Sequence, residues 1–247
     1  GHFSNGFYDL KTYSITEENR LFLFDRNSKY SERNIYWKST ITDSQRGFTN
    51  TPNKKVLVLG DSLGKDFYVS AISNELLKTT YEFRYIDLDE HCMNFNSMSK
   101  NPAFNCENVL KFIQQESLLK DADLIILSAH WGRDTWKNPI TLAKELSKQT
   151  EVKIIGSFKL GDTSSIAMHS AQNELSFEEM AKFAFRTIHS EYAYSKKIQD
   201  AVKQIDNVHY FDKLDVFCNS IEKQCFIFDK KEGFPLIWDN MHISMEG

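Results

Sequence analysis

From Lys54 onward the chain alternates short apolar runs, many of them β-branched, with longer stretches whose apolar residues recur at spacings of three and four. A parallel sheet demands that alternation, because each parallel neighbour is reached only through a crossover, usually a helix. Residues 56–59, 83–88, 124–128, 152–157 and 208–211 are the expected strands, and the middle runs are apolar throughout, as in strands buried on both faces. Helical spacing covers 66–78, 106–119, 141–149 and 176–205, the last opening on the capping-box pair Ser176 and Glu179. The expected fold class is α/β: a three-layer sandwich with a mostly parallel five-stranded sheet.

Residues 1–53 are polar and lack sustained periodicity, yet they hold Phe22, Phe24, Tyr30, Tyr36 and Trp37, too many aromatics for a free linker. They are expected to form an N-terminal extension packed on a domain spanning 54–247. With 247 residues and 41% hydrophobic content the chain can bury a sizeable core. A net charge of -4 and a pI near 6.0, with no basic stripe interleaved with aromatics, argue against nucleic acid as a partner. No apolar run approaches the roughly 20 residues of a membrane-spanning helix. The chain opens on Gly1-His2 without an initiator methionine or signal peptide, so it is expected to be a piece of a longer protein. Any membrane attachment would then run through a domain outside it.

Four cysteines fall into two local pairs, Cys92 with Cys106 and Cys218 with Cys225, and neither spacing matches a structural zinc site. Two local disulfides are the expected state, which favours an oxidising compartment. Four reduced thiols in a cytosolic protein are the alternative.

The chemistry is concentrated at the two ends of the 54–247 region. Gly60-Asp61-Ser62-Leu63 follows the first expected strand, and Asp239-Asn240-Met241-His242 lies close to the C-terminus. A serine needs an imidazole to take its proton and a carboxylate to orient that imidazole, so Ser62, His242 and Asp239 are the candidate catalytic residues. Gly60-Asp61-Ser62-Leu63-Gly64 also fits the nucleophile elbow of α/β-hydrolases. That fold, however, places strands before its elbow and takes its acid and histidine from well-separated loops. Among the other histidines, only His130 lies beside the expected crevice at the carboxyl ends of the strands. Asp61 is expected to cap the helix after Ser62, placed near Gly64 or Lys65. Trp131, Trp136 and Trp238 are candidates for stacking on sugar rings, with core burial as the alternative.

With Gly-Asp-Ser after the opening strand and Asp-x-x-His near the C-terminus, the chain resembles the SGNH (GDSL) hydrolases, whose fold is flavodoxin-like. A narrower resemblance is to the SGNH domains fused behind acyltransferase-three membrane domains, which decorate bacterial surface polysaccharides. It rests on the strand closing in Leu127-Ser128-Ala129-His130-Trp131, on Cys218 and Cys225 ahead of the last block, and on the ending Trp238-Asp239-Asn240-Met241-His242-Ile243-Ser244. Two parts of the SGNH pattern are missing. No glycine stands between Lys65 and Trp131 to supply the second-block amide of the oxyanion hole. The third-block Gly-x-Asn-Asp is replaced by His130-Trp131-Gly132-Arg133-Asp134. Ser62 N–H is the expected oxyanion donor, with Asn94, Asn96 or the loop holding His130, Trp131 and Gly132 as candidates to complete it.

The resemblance implies a serine-dependent O-acyltransferase, with acetyl as the expected group, acting on a cell-surface glycan such as lipopolysaccharide or capsule. Its partners would be an acyl donor delivered from a membrane domain and a glycan acceptor, at the periplasmic or extracellular face, with no metal or organic cofactor. Two other readings stay open: a secreted carbohydrate acetylesterase, and a catalytically silent glycan-binding module of the same fold.

Overall fold

The computed structural model describes residues 46–93, 118–230, 235–237 and 239–243. In chain order the elements are β1 (Lys54–Gly60), α1 (Ser62–Ser73), α2 (Glu75–Thr80), β2 (Tyr81–Asp87), α3 (Leu118–Asp121), β3 (Leu124–Ser128), α4 (Asn138–Leu146) and β4 (Glu151–Ile155). There follow α5 (Thr163–Gln172), α6 (Phe177–Arg186), α7 (Tyr192–Val202), β5 (Val208–Phe211), α8 (Leu214–Phe217) and the two-residue strands β6 (Cys218–Asn219) and β7 (Gln224–Cys225). The described residues divide into two compact units, one from 36–157 with 191–213 and the other from 158–190 with 214–247.

The first unit holds a five-stranded sheet of order β2-β1-β3-β4-β5, parallel throughout. All five expected strands are present, with ends shifted by at most two residues. Alternation along β1 explains the layers. Leu57 and Leu59 enter one core with Leu142 and Ala143 of α4 and Ile198 and Val202 of α7, while Val56 and Val58 enter a second with Tyr68 and Ala71 of α1. Both faces are therefore covered, and truncating a residue such as Leu57 to alanine should cost about 2–5 kcal/mol. The chain goes from β1 to β2 on one side and then crosses to β3 on the other, so the strand order reverses beside β1. In open α/β sheets a ligand crevice forms at that point, outside the carboxyl ends of the strands.

The end of the expected extension is anchored on the edge strand β2. The Thr49 amide and hydroxyl donate to the Glu82 carboxylate at 2.8 and 2.9 Å, and the Arg84 guanidinium donates to the carbonyls of Arg46 and Gly47.

Two expected helices are each broken in two. The 66–78 pattern starts earlier, at Ser62, and stops at Asn74, whose extended backbone ends α1 while its side chain accepts from Leu77 N to cap α2. The 176–205 pattern opens on the capping box as expected but ends at Thr187 and restarts at Tyr192. Residues 106–117 of the second expected helix, 106–119, lie outside the described range.

The second unit holds α5, α6, α8 and the β6–β7 pair, which the Cys218–Cys225 disulfide closes. Phe177 at the start of α6 stacks on Phe226 just after β7, ring centroids 6.0 Å apart. Cys106, the expected partner of Cys92, lies outside the described residues. Among the described residues no helix is long and apolar enough to cross a membrane.

Candidate active site

Ser62 belongs to the sheet unit, and Asp239 and His242 to the other. Ser62 is half-buried and is the first residue of α1, at the helix end that carries partial positive charge. The turn before it is fixed from three directions. Asp61 caps α1, its Oδ1 accepting from Leu63 N at 2.8 Å, and its Oδ2 accepts from His130 N at 2.9 Å, tying the turn to the loop after β3. The buried Tyr85 hydroxyl, from β2, donates to the carbonyls of Gly60 and Asp61 at 2.9 and 3.0 Å. Burial, followed by the negative charges of Asp87 and Asp61, pushes that phenol well above its ordinary range. From β3, the Ser128 carbonyl lies so close that a Cβ on Gly60 would sit 1.8 Å from it and one on Gly64 2.6 Å. The two glycines of the Gly-x-Ser-x-Gly spacing are thus required by close backbone approach.

Glu90, in a single 3₁₀ turn after β2, stands within electrostatic reach of Asp61. Its carbonyl accepts from Asn138 Nδ2 at 2.8 Å, and its side chain is only 15% exposed. Burial, with the charges of Asp61 and Asp89, pushes its carboxyl up to about 7, although its own amide and His91 pull the other way. Asp89, Glu90 and His91 are, among the described residues, the one group whose ligand atoms all lie within 4.8 Å of one another. Asp89 Oδ1 already accepts from His91 N and faces His91 Nδ1 at 2.8 Å, an arrangement that needs no ion.

In the second unit the Asp-x-x-His segment folds around its own carboxylate. Asp239 Oδ1 accepts from the amides of Met241 and His242 at 2.8 and 2.9 Å, and Oδ2 lies 2.7 Å from His242 Nδ1. An ionised carboxylate can only accept, so Nδ1 carries the proton and Nε2 is left as the basic nitrogen. Burial would raise the Asp239 carboxyl, but the hydrogen bond and charge of His242, aided by the two amides, hold it well below the usual carboxylate range. The loop is pinned to the start of α5. Thr163 N donates to the Asp239 carbonyl at 2.8 Å, the Thr163 hydroxyl reaches the carbonyls of Ile237 and Asp239, and Leu160 N donates to the Asn240 carbonyl.

Several sequence expectations need correction. Trp131 is 0% exposed and its indole N–H donates to the Ile155 carbonyl, so of the two readings it is the core one that the burial fits. The Gly132 amide donates to Thr135 Oγ1 and the His130 amide to Asp61, so neither amide is left for an oxyanion. The His130 ring instead faces Glu191, Nε2 to Oε2 at 3.4 Å. Helix α1 begins at Ser62 itself rather than at Gly64 or Lys65, because Asp61 rather than a later residue supplies the cap. Asn94, Asn96 and Trp238 lie outside the described residues. Sequence reasoning passed over Tyr85, Glu90 and Thr163. Only Thr163 left a signal, since Asp162 ahead of Thr163-Ser164-Ser165 is a helix start, its side chain accepting from Ser165 N.

Among solved structures the chain is similar to the periplasmic domain of a lipopolysaccharide acetyltransferase from Salmonella ser. Paratyphi A, with a TM-score of 0.52 and 11% identity over 85% of this chain and 89% of that one. At that identity the likeness speaks for the fold. No curated protein sequence matches the chain. The family model described as the SGNH domain fused to AT3 domains matches residues 30–247, beginning within the polar N-terminal segment. With that match spanning most of its length, the chain belongs to the family of SGNH domains fused to AT3 domains.

Proposed function

We propose that this domain transfers an acyl group, with acetyl as the expected one, onto a hydroxyl of a bacterial cell-surface polysaccharide through an acyl-Ser62 intermediate. The observation that carries the reading is the Asp239 carboxylate clamped by two amides and turned onto His242 Nδ1, which leaves Nε2 as a base. The reading requires His242 Nε2 and Ser62 Oγ to meet in the reacting complex. Nε2 takes the serine proton as Oγ attacks the acyl carbonyl, and the resulting imidazolium, supported by Asp239, returns it to the departing donor group. A sugar hydroxyl then gives its proton to Nε2 and attacks the acyl-serine, and collapse restores Ser62. The Ser62 amide, at the N-terminus of α1, is the oxyanion donor we assign. Membership of a family fused to AT3 domains supports a membrane acyltransferase partner that delivers the acyl group, and a glycan acceptor. The Cys218–Cys225 disulfide and the periplasmic setting named for the structural neighbour support a periplasmic or extracellular location.

Two measurements test this. A fluorophosphonate should label Ser62 at neutral pH in the intact chain and leave Ser62→Ala and His242→Ala unlabelled; no adduct would favour a silent binding module. Incubation with an activated acetyl ester should yield acetylated glycan when glycan is present. Hydrolysis that glycan does not alter, with no acylated sugar, would make the domain an esterase.

A further inference from the structure

Trp136 and Tyr194 form an aromatic step on the sheet unit, at the edge from which Ser62 emerges. Trp136 lies in the loop that leaves β3, its amide donating to the Gly132 carbonyl at 3.0 Å. Tyr194 lies in the first turn of α7, its amide donating to the Glu191 carbonyl at 2.9 Å. Since α7 leads back to the parallel strand β5, its first turn stands at the carboxyl edge of the sheet. The two anchors are joined by the contact between His130 and Glu191, and His130 is bonded to Asp61 next to Ser62.

The rings stack with centroids 6.5 Å apart and planes 23° from parallel, and both are only half-buried. Lys137 Nζ lies 5.5 Å from the Trp136 centroid, and Lys197 Nζ lies 5.4 Å from Trp136 and 5.1 Å from Tyr194. Three such contacts therefore fall on two neighbouring rings. Neither ammonium has an ion-pair partner among the described residues. The acidic groups on and around α7 are engaged elsewhere: Glu191 by His130, Asp200 by Lys203 at 2.7 Å, and Asp212 by Lys196 at 2.8 Å and the Tyr192 hydroxyl at 2.6 Å. On a chain of net charge -4, two cations are thus brought over one aromatic platform. The indole N–H and the Tyr194 hydroxyl likewise have no hydrogen-bond partner among the described residues.

We propose that Trp136, Tyr194, Lys137 and Lys197 form a subsite for a carboxylate-bearing sugar residue of the glycan acceptor. The apolar face of a pyranose ring lies on the aromatic step, its carboxylate meets the two ammoniums, and its hydroxyls meet the indole N–H and the phenol. The subsite's place in catalysis rests on the acyl-transfer reading above, but its binding does not.

Calorimetric titration of the intact chain with trigalacturonate, maltotriose and inorganic phosphate tests the proposal. Trigalacturonate should bind saturably, at least tenfold more tightly than maltotriose or phosphate, and more weakly as salt is raised. Lys137→Gln combined with Lys197→Gln, both at exposed positions, should weaken it at least tenfold without moving the melting temperature, and Trp136→Leu should weaken it as much, with some loss of melting temperature because Trp136 also packs against the core. No binding of trigalacturonate overturns the proposal. So does binding by the double variant within twofold of the unaltered chain, or equal binding of maltotriose or phosphate. If Ser62 takes no fluorophosphonate while trigalacturonate still binds with this dependence, the acyl-transfer reading falls and the subsite stands.

Discussion

The turn that carries Ser62 combines close backbone packing with hydrogen bonds to Asp61 and from Tyr85, whereas the loop that carries Asp239 and His242 rests on directed hydrogen bonds around one carboxylate. At the first, the Ser128 carbonyl fills the space where side chains on Gly60 and Gly64 would sit, with the Tyr85 phenol braced against the same backbone. At the second, regular structure is slight, and one carboxylate gathers two amides and an imidazole around itself. The steric part of the first holds its backbone irrespective of charge. A polar clamp holds a ring and also sets its tautomer, and it depends on ionisation. Their electrostatic signs differ as well: near Ser62 the Glu90 carboxyl is pushed up, while beside His242 the Asp239 carboxyl is pulled down.

The largest effect is expected from Asp239→Asn, which keeps the shape of the clamp but reverses the tautomer it imposes on His242. Transfer should fall by about 10⁴ in kcat, equivalent to roughly 5.5 kcal/mol, with little change in KM. A rate within tenfold of the unaltered chain would mean that the clamp is only structural. Next in size is Gly60→Ala. Its Cβ would meet backbone rather than a yielding side chain, so urea unfolding should report a loss of about 3 kcal/mol or more. An unchanged midpoint would refute the steric account of the turn.

Glu90 gives the third test. The folded protein holds its proton up to about pH 7, whereas an unfolded chain releases it near pH 4. The native state therefore binds more protons between those values, and stability should decline as pH rises through that window, by on the order of 2 kcal/mol once solvent screening is allowed for. Urea midpoints at pH 5 and pH 8 should show this decline, and Glu90→Gln should flatten it. Asp239 works in the opposite sense. Its depressed carboxyl contributes stability above the ordinary carboxylate value of about 4, and that contribution is lost only as pH falls through the lowered value. The smallest effect is expected from Thr163→Val. The Thr163 amide still holds the Asp239 carbonyl, so losing the hydroxyl should cost about 1 kcal/mol in the same unfolding assay.

The strands were legible because a strand buried on both faces must be apolar at every position, and runs such as 124–128 contain little else. The helix breaks were not, because the apolar spacing continues across Asn74 and across 187–191. What stops those helices is a side chain claiming backbone groups, as Asn74 claims the Leu77 amide. Helix α5 was missed because serine, threonine and alanine supply much of it and little apolar periodicity results. At the site, a separation of three residues was enough to expect a carboxylate beside an imidazole, and Asp239 does face His242 at 2.7 Å. Trp131 was left open between core and sugar contact because an aromatic residue in a loop looks the same in sequence whether it faces solvent or core; its depth comes from Ile155 and Ser157, more than 20 residues away.

Composition and spacing within a few residues were enough for the α/β class, the strands, the serine after β1 and the carboxylate three residues before His242. Long-range packing places β1 between β2 and β3, engages the amides of His130 and Gly132, lets Glu90 keep its proton to about pH 7 and brings two lysines to Trp136. Burial, charge proximity and hydrogen-bond occupancy belong to groups far apart in the chain, and only folding makes them neighbours.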